Sequence, residues 1–108
     1  MELYVSNEGG SSMERVVYTS HAKLRLRVRG IDESEVDRIL RSPQKLYFDT
    51  VTGALVAVGS RALVEGHWLV VVYTVEGDVI KVVTVIDVSS VSNLIRRRLE
   101  RGRWVEVG

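Results

Sequence analysis

Ser20-His21-Ala22-Lys23-Leu24-Arg25-Leu26-Arg27-Val28-Arg29-Gly30, SHAKLRLRVRG, can be read with either of two periods. From Leu24 to Arg29 apolar and basic residues alternate, the pattern of a half-buried strand. The same stretch opens on Ser and closes on Gly, a helix cap and a helix terminator. The residues that follow decide between the two. Asp32 and Glu35 are spaced as a capping box, and Ile31 and Val36 as its hydrophobic staple. A helix therefore runs from about Glu33 to Arg41, and Pro43 ends it. A strand before it would run straight into that cap without a turn. A helix from about His21 to Arg29, capped by Ser20 and stopped by Gly30, makes a compact helical hairpin instead, and this is the reading adopted.

On that helix, at about 100° per residue, Leu24 and Val28 lie on one flank of the apolar face and Ala22 and Leu26 on the other. His21, Arg25 and Arg29 fall between them at spacings of four, while Lys23 and Arg27 point to the far side. A polar stripe thus lies inside the apolar face. Burying bare guanidinium groups is very costly. Either acidic residues of the next helix (Glu33, Glu35, Asp37) meet Arg25 and Arg29, or the stripe borders a cleft.

Working outward, Arg15 to Thr19 (RVVYT) reads as a short strand. Residues 1–12 end in Glu-Gly-Gly-Ser-Ser, a flexible composition, so a flexible extension is expected there and one domain over 13–108. Downstream, Lys45 to Val51 and Ala54 to Ser60 flank a Thr52-Gly53 turn, and Arg61 to His67 is irregular. Trp68 to Glu76 (WLVVVYTVE) is apolar on both faces, as in a central strand. Gly77-Asp78 is a two-residue hairpin turn, and Asp78 to Val88 is the partner strand. Ser89 or Ser90 caps a last helix to about Arg101, stopped by Gly102. Its buried side is Val91, Leu94, Ile95 and Leu99, with Arg98 inside that stripe. Trp104 to Val107 is a final short strand. The order predicts an α+β domain: an N-terminal strand and helical hairpin packed on a curved antiparallel sheet of four to five strands, with a C-terminal helix.

Composition bounds the function. At 108 residues and 45% apolar, the chain supports one folded core. It has no Cys, which excludes disulfides, thiolate metal sites and a Cys nucleophile. No apolar run reaches a membrane span, and Met1 to Ser12 lacks signal-peptide character, so a cytoplasmic protein without a membrane partner is expected. The two His residues are not spaced as a helical pair, so neither a metal site nor a cofactor is expected. Few amide side chains and many charges suit a thermophilic source. Net charge is only +1, yet five of the twelve Arg fall between Arg96 and Arg103, so charge is clustered rather than global.

The motif Ser20-His21-Ala22, Arg25, Arg29-Gly30-Ile31, followed by the acid-capped helix ending Ser42-Pro43, a Val71-Val72-Tyr73 strand and a Val82 to Val85 strand, resembles a family of small uncharacterised prokaryotic domains. These are similar to BrnT-type toxins and, more loosely, to the RelE/ParE-like toxins. The resemblance covers about Val16 to Val88. It implies an antiparallel sheet with N-terminal helices. For many members it also implies cleavage of free or ribosome-bound mRNA without metal, by basic residues with a Tyr or His, and an antitoxin protein partner.

Such cleavage needs a base for the 2′-hydroxyl proton, an acid for the leaving 5′-oxygen and cations for the phosphorane charge. His21 is the acid/base candidate, because His titrates near neutrality. Arg25 and Arg29 suit a phosphate clamp, and Arg61 and Tyr73 are further candidates from the sheet. Each has a structural alternative. His21 can cap a carbonyl, the two Arg can pair with acids, Tyr73 can be core, and His67 can be a loop residue. Arg96, Arg97, Arg98, Arg101 and Arg103 form a second lead, a helix that neutralises RNA phosphates, with Trp104 beside it to stack on a base. The alternative is a solvated helix whose cations suit its C-terminus. The reading drawn from these residues is a toxin-like RNA-binding domain. Its alternatives are a non-catalytic module for nucleic acid or protein, and a homodimer that buries the second apolar face of the sheet.

Overall fold

The computed structural model describes residues 3–5 and 15–107. They form three helices and one seven-stranded sheet: β1 (Leu3–Val5), β2 (Arg15–Thr19), α1 (Ser20–Arg29), α2 (Glu33–Arg41), β3 (Lys45–Asp49), β4 (Leu55–Ser60), β5 (Trp68–Glu76), β6 (Val79–Val88), α3 (Val91–Glu100) and β7 (Trp104–Glu106). Strand order is β1-β2-β6-β5-β4-β3-β7, so β5 stands in the middle, as its two apolar faces require. The α+β architecture is the expected one. The sheet is wider than four to five strands because short strands extend both edges. It is also mixed: β2 pairs parallel with β6, while the other pairs are antiparallel. Of the expected flexible extension, only Leu3–Val5 is described, and it pairs antiparallel with β2.

The opening stretch is helical, and its ends show why. Gly30 takes φ 62°, its N–H bonds the Arg27 carbonyl, and the Ile31 N–H reaches back to the Leu26 carbonyl at 2.8 Å. These two bonds are a Schellman motif, closed by the buried pair Leu26 and Ile31. The N-cap is Thr19 rather than Ser20. Its Oγ1 accepts from the Ala22 N–H and donates to the Val83 carbonyl at 2.8 Å, so the cap also ties α1 to β6. The second helix starts where the sequence places it, with the Ser34 N–H donating to Asp32 Oδ1. The capping box is only half made, because the Glu35 carboxylate bonds Arg61 instead.

The sheet is the middle layer. Tyr18, Leu26, Val36, Ile39, Val71 and Val85 belong to the core under α1 and α2. Tyr47, Val56, Val58, Val70, Val91 and Trp104 form the core under α3, joined by Leu94 and Ile95. The second sheet face is therefore covered within one chain, which removes the reason for a homodimer formed through it. A bulge in β6 reshapes one side of the sheet. Val72 pairs with Thr84 but Tyr73 pairs with Val82, so Val83 has no residue opposite. Parity shifts there, and Val82 and Val85, three apart, both enter the same core. β2 ends at the same level, its last pair being Tyr18 with Val82. Beyond it, α1 rather than a strand flanks β6. Only the Ala22 and Leu26 flank of α1 meets the sheet, so Leu24 and Val28 are 49% and 66% exposed, against expectation.

Helix α2 approaches the sheet closely at Gly59. A Cβ there would stand 2.9 Å from Ile39 Cγ1, and Ile39 is itself fully buried. Gly in a strand interior marks such a contact. Gly59→Ala is expected to lower unfolding stability by about 1–3 kcal/mol through overpacking. In urea titration this should move the midpoint at constant slope. An unchanged midpoint would mean that α2 is free to shift outward.

Candidate functional site

A groove of about 280 Å³ runs between α1 and β6. Arg25 and Arg29 form one wall, and Thr84, Val85, Ile86 and Asp87 form the other. His21, one turn before Arg25, sets its Nε2 3.1 Å from Thr84 Oγ1. The three residues of the polar stripe are therefore held side by side along β6, where the bulge and the end of β2 leave room.

The acids that could have neutralised the stripe are engaged elsewhere. Glu33 pairs with Lys23, Asp37 with Arg41 at 3.1 Å, and Glu35 with Arg61. Among the described residues neither Arg25 nor Arg29 has a carboxylate partner. Of the two alternatives open to the sequence, the cleft is the one realised.

Arg61 stands elsewhere, below the groove. Its side chain is 7% exposed. Nε and Nη2 donate to the two oxygens of Glu35 at 3.3 Å, Nη1 donates to Asp87 Oδ2 at 2.8 Å, and Nη2 also reaches the Gly30 carbonyl. Asp87 Oδ1 lies 2.7 Å from His67 Nδ1. Burial pushes the Asp87 carboxyl up, but the bonds and charges of His67 and Arg61 outweigh it and hold the group below the usual carboxylate range. Burial likewise opposes the Arg61 charge, and Glu35 and Asp87 outweigh it, raising the guanidinium pKa further. Every side of Arg61 is occupied, so it supports the groove and does not line it. Tyr73, 7% exposed, is part of the core under α1 and α2. His67 is a member of the site's support that the sequence reading left in the loop. Its signal is weak, because its partner Asp87 is twenty residues away.

The arginine cluster divides. Arg97 and Arg101 are exposed, and Arg96 is exposed beside Asn93 and Glu100. Arg98 lies over the Trp104 ring at 5.6 Å. Arg103 Nε donates to Asp49 Oδ1 at 2.9 Å and Oδ2 at 3.1 Å. Trp104 is 5% exposed and stacked on Tyr47 with ring centroids 5.4 Å apart, so its faces are not open to a base. The platform is thus Arg96, Arg97 and Arg101, on the α3 layer and away from the groove. The structure does not bring the two leads together.

Asp49 gives a pH prediction. Burial raises its carboxyl pKa, but the Arg103 hydrogen bond, the Thr52 and Val51 N–H groups and the Arg103 charge bring it down to about 2. A carboxyl depressed in the fold contributes stability above its unfolded pKa and loses it as pH falls through the folded one. The contribution is about 2 kcal/mol, lost between roughly pH 4 and pH 2. Asp49→Asn should flatten that limb of the stability profile, read by urea midpoints across the range. An unaltered limb would contradict the clip between β3 and β7.

Among the described residues no helix is long and apolar enough to cross a membrane, and no cluster of three or more His, Asp or Glu could hold a metal. No curated protein and no solved structure matches the chain. A family model described as a domain of unknown function, DUF4258, matches residues 18–96, which takes in α1, α2 and strands β3 to β6 whole and all the residues of the groove. The chain belongs to the DUF4258 family.

Proposed function

We propose that this protein is a toxin-like RNA-binding domain that cleaves RNA in the groove between α1 and β6. The observation that carries the reading is the pair of cations, Arg25 and Arg29, without a carboxylate partner among the described residues and set beside His21 along a groove where Glu33, Glu35 and Asp37 are engaged elsewhere. The resemblance of the same motif to BrnT-type and RelE/ParE-like toxins agrees with it, as an analogy. The proposed substrate is single-stranded or ribosome-bound mRNA, and the proposed partner an antitoxin protein.

In this reading the two guanidinium groups hold a phosphodiester and take up the charge of the phosphorane. The imidazole of His21 removes the proton of the adjacent 2′-hydroxyl. The 2′-oxygen bonds to phosphorus, the bond to the 5′-oxygen breaks, and water protonates that oxygen. The products are a 2′,3′-cyclic phosphate and a 5′-hydroxyl end. Thr84 fixes the ring from the Nε2 side. Arg61 and Tyr73 have no part in the chemistry.

A second reading rests on α3. Arg96, Arg97 and Arg101 are a separate exposed basic surface, which suits a non-catalytic module that tracks phosphates by charge alone.

Incubation with a mixed single-stranded RNA, with and without chelator, tests the first reading. Chelator-resistant cleavage is expected, and His21→Ala should slow it by about 10²–10⁴-fold at an unchanged melting temperature. Cleavage that persists in the variant would take the reaction away from the groove. Retained RNA affinity without cleavage would favour the second reading.

A further inference from the structure

At the far side of the sheet from the groove, β7 ends the strand order, with β5, β4 and β3 standing between it and β6. Its inner side is bonded to β3. The Val107 N–H donates to the Leu46 carbonyl and the Thr50 N–H to the Arg103 carbonyl, both at 2.9 Å. Those bonds fix the alternation along the strand. Arg103, Val105 and Val107 turn their backbone groups toward β3, so Trp104 and Glu106 turn theirs outward. Among the described residues no backbone group bonds Trp104 or Glu106 on that side. Natural edges are blunted by Pro, Lys, inward charges, bulges or short length. β7 has only the last of these, at three residues. The side chains beside it are apolar and uncovered. Val105, 51% exposed, lies opposite Phe48, 41% exposed, with Val107, 39% exposed, on the same face. This is the face that sends Leu46 and Leu55 toward the core under α1 and α2. On the opposite face Arg98 lies over the Trp104 ring. Glu106 meets Lys45 there only at 3.8 Å, between two side chains that are each 57% exposed, which is a weak pair.

A second copy of the chain satisfies this edge in one register. Two β7 strands set antiparallel about a two-fold axis at Val105 place Trp104 of each copy opposite Glu106 of the other. These are the two residues with outward groups, so every outward N–H meets an outward C=O. Val105 then faces Val105 as a non-hydrogen-bonded pair, the kind whose side chains come closest. Phe48 and Val105 of one copy continue into Val105 and Phe48 of the other as a single apolar row across the join. Glu106 of each copy falls beside the Arg98 that covers the other's Trp104, so opposite charges meet. We infer that two copies of this chain associate through β7, edge to edge, into one continuous sheet. Such a contact is isologous. It differs from the face-to-face dimer that α3 forecloses by covering the second sheet face. The contact is small, in the class of weak associations below about 1,200 Å², so it depends on concentration. RNA has no part in it.

The chain has no Cys, which permits a test with a single thiol. Full-length Val105→Cys and Leu63→Cys proteins are incubated with oxidised glutathione. Leu63, 96% exposed in the β4–β5 loop, reports chance collision. Side chains of a non-hydrogen-bonded pair lie close enough for a disulfide, so Val105→Cys is expected to form linked dimer about tenfold or more faster than Leu63→Cys. Sedimentation equilibrium of the unaltered chain should show dimer growing with concentration. Val105→Lys, a change at an exposed position, should abolish that dimer at an unchanged urea midpoint. Glu106→Lys, on the opposite face, sets like charges together and should weaken the dimer by about tenfold, with added salt reducing the difference between this variant and the parent. Equal linking rates for the two Cys variants, or a monomer at every concentration up to the solubility limit, would overturn the inference. A dimer that survives both Val105→Lys and Glu106→Lys would overturn its location at β7. Because β7 is remote from the groove, either failure leaves the RNA reading as it stands, and an absence of RNA cleavage leaves the dimer.

Discussion

Arg61 holds the site side of this molecule together. Its guanidinium joins the α1–α2 junction through the Gly30 carbonyl, helix α2 through Glu35 and strand β6 through Asp87, while Asp87 also holds His67 at the start of β5. Two carboxylates and a carbonyl around one buried cation give it near-complete hydrogen bonding, which is the condition under which a buried ion pair is tolerated. Removing one partner would strand a buried charge, so the elements it joins are fixed relative to one another. The groove lies above this cluster, and Asp87 belongs to both.

The cluster also sets the charge of the site. Glu35 lies in the first turn of α2, close to the C-terminal end of α1, and is a natural counter-ion for α1. Arg61 takes it. Lys23 takes Glu33, and Arg41 takes Asp37. What remains on α1 is a line of cations, Arg25 and Arg29, with no carboxylate partner among the described residues, beside β6. The same principle separates the two ends of the sheet. Near β7, Arg103 and Arg98 are engaged by Asp49 and Trp104, so two of the five arginines there serve to lock the last strand against β3.

Features that depend on near neighbours were legible in the sequence. The helical hairpin, the Asp32 cap, the Gly30 stop, the central position of β5 and the clustering of His21, Arg25 and Arg29 all follow from local spacing. What misled was non-local. Glu35 has the right spacing for a capping box, and only the arrival of Arg61 from the β4–β5 loop redirects it. Trp104 reads as an exposed aromatic beside arginines until β7 pairs with β3 and lays it on Tyr47. The parallel pairing of β2 with β6 joins residues more than sixty apart, and the bulge at Val83 leaves no mark on a run of valines. That bulge, with the end of β2, makes the groove, so the residues of the site were readable and the cavity they line was not.

The central claim is that Arg25 and Arg29 serve binding and not folding. The most direct measurement is the double variant Arg25→Gln, Arg29→Gln, followed in parallel by urea unfolding and by RNA affinity across a salt series. The account predicts stability within about 0.5 kcal/mol of the parent, as for exposed surface changes. It also predicts weaker RNA binding with a salt slope shallower by about 1–2. A fall in stability of about 3 kcal/mol or more, the signature of a broken buried pair, with the salt slope unchanged, would contradict it.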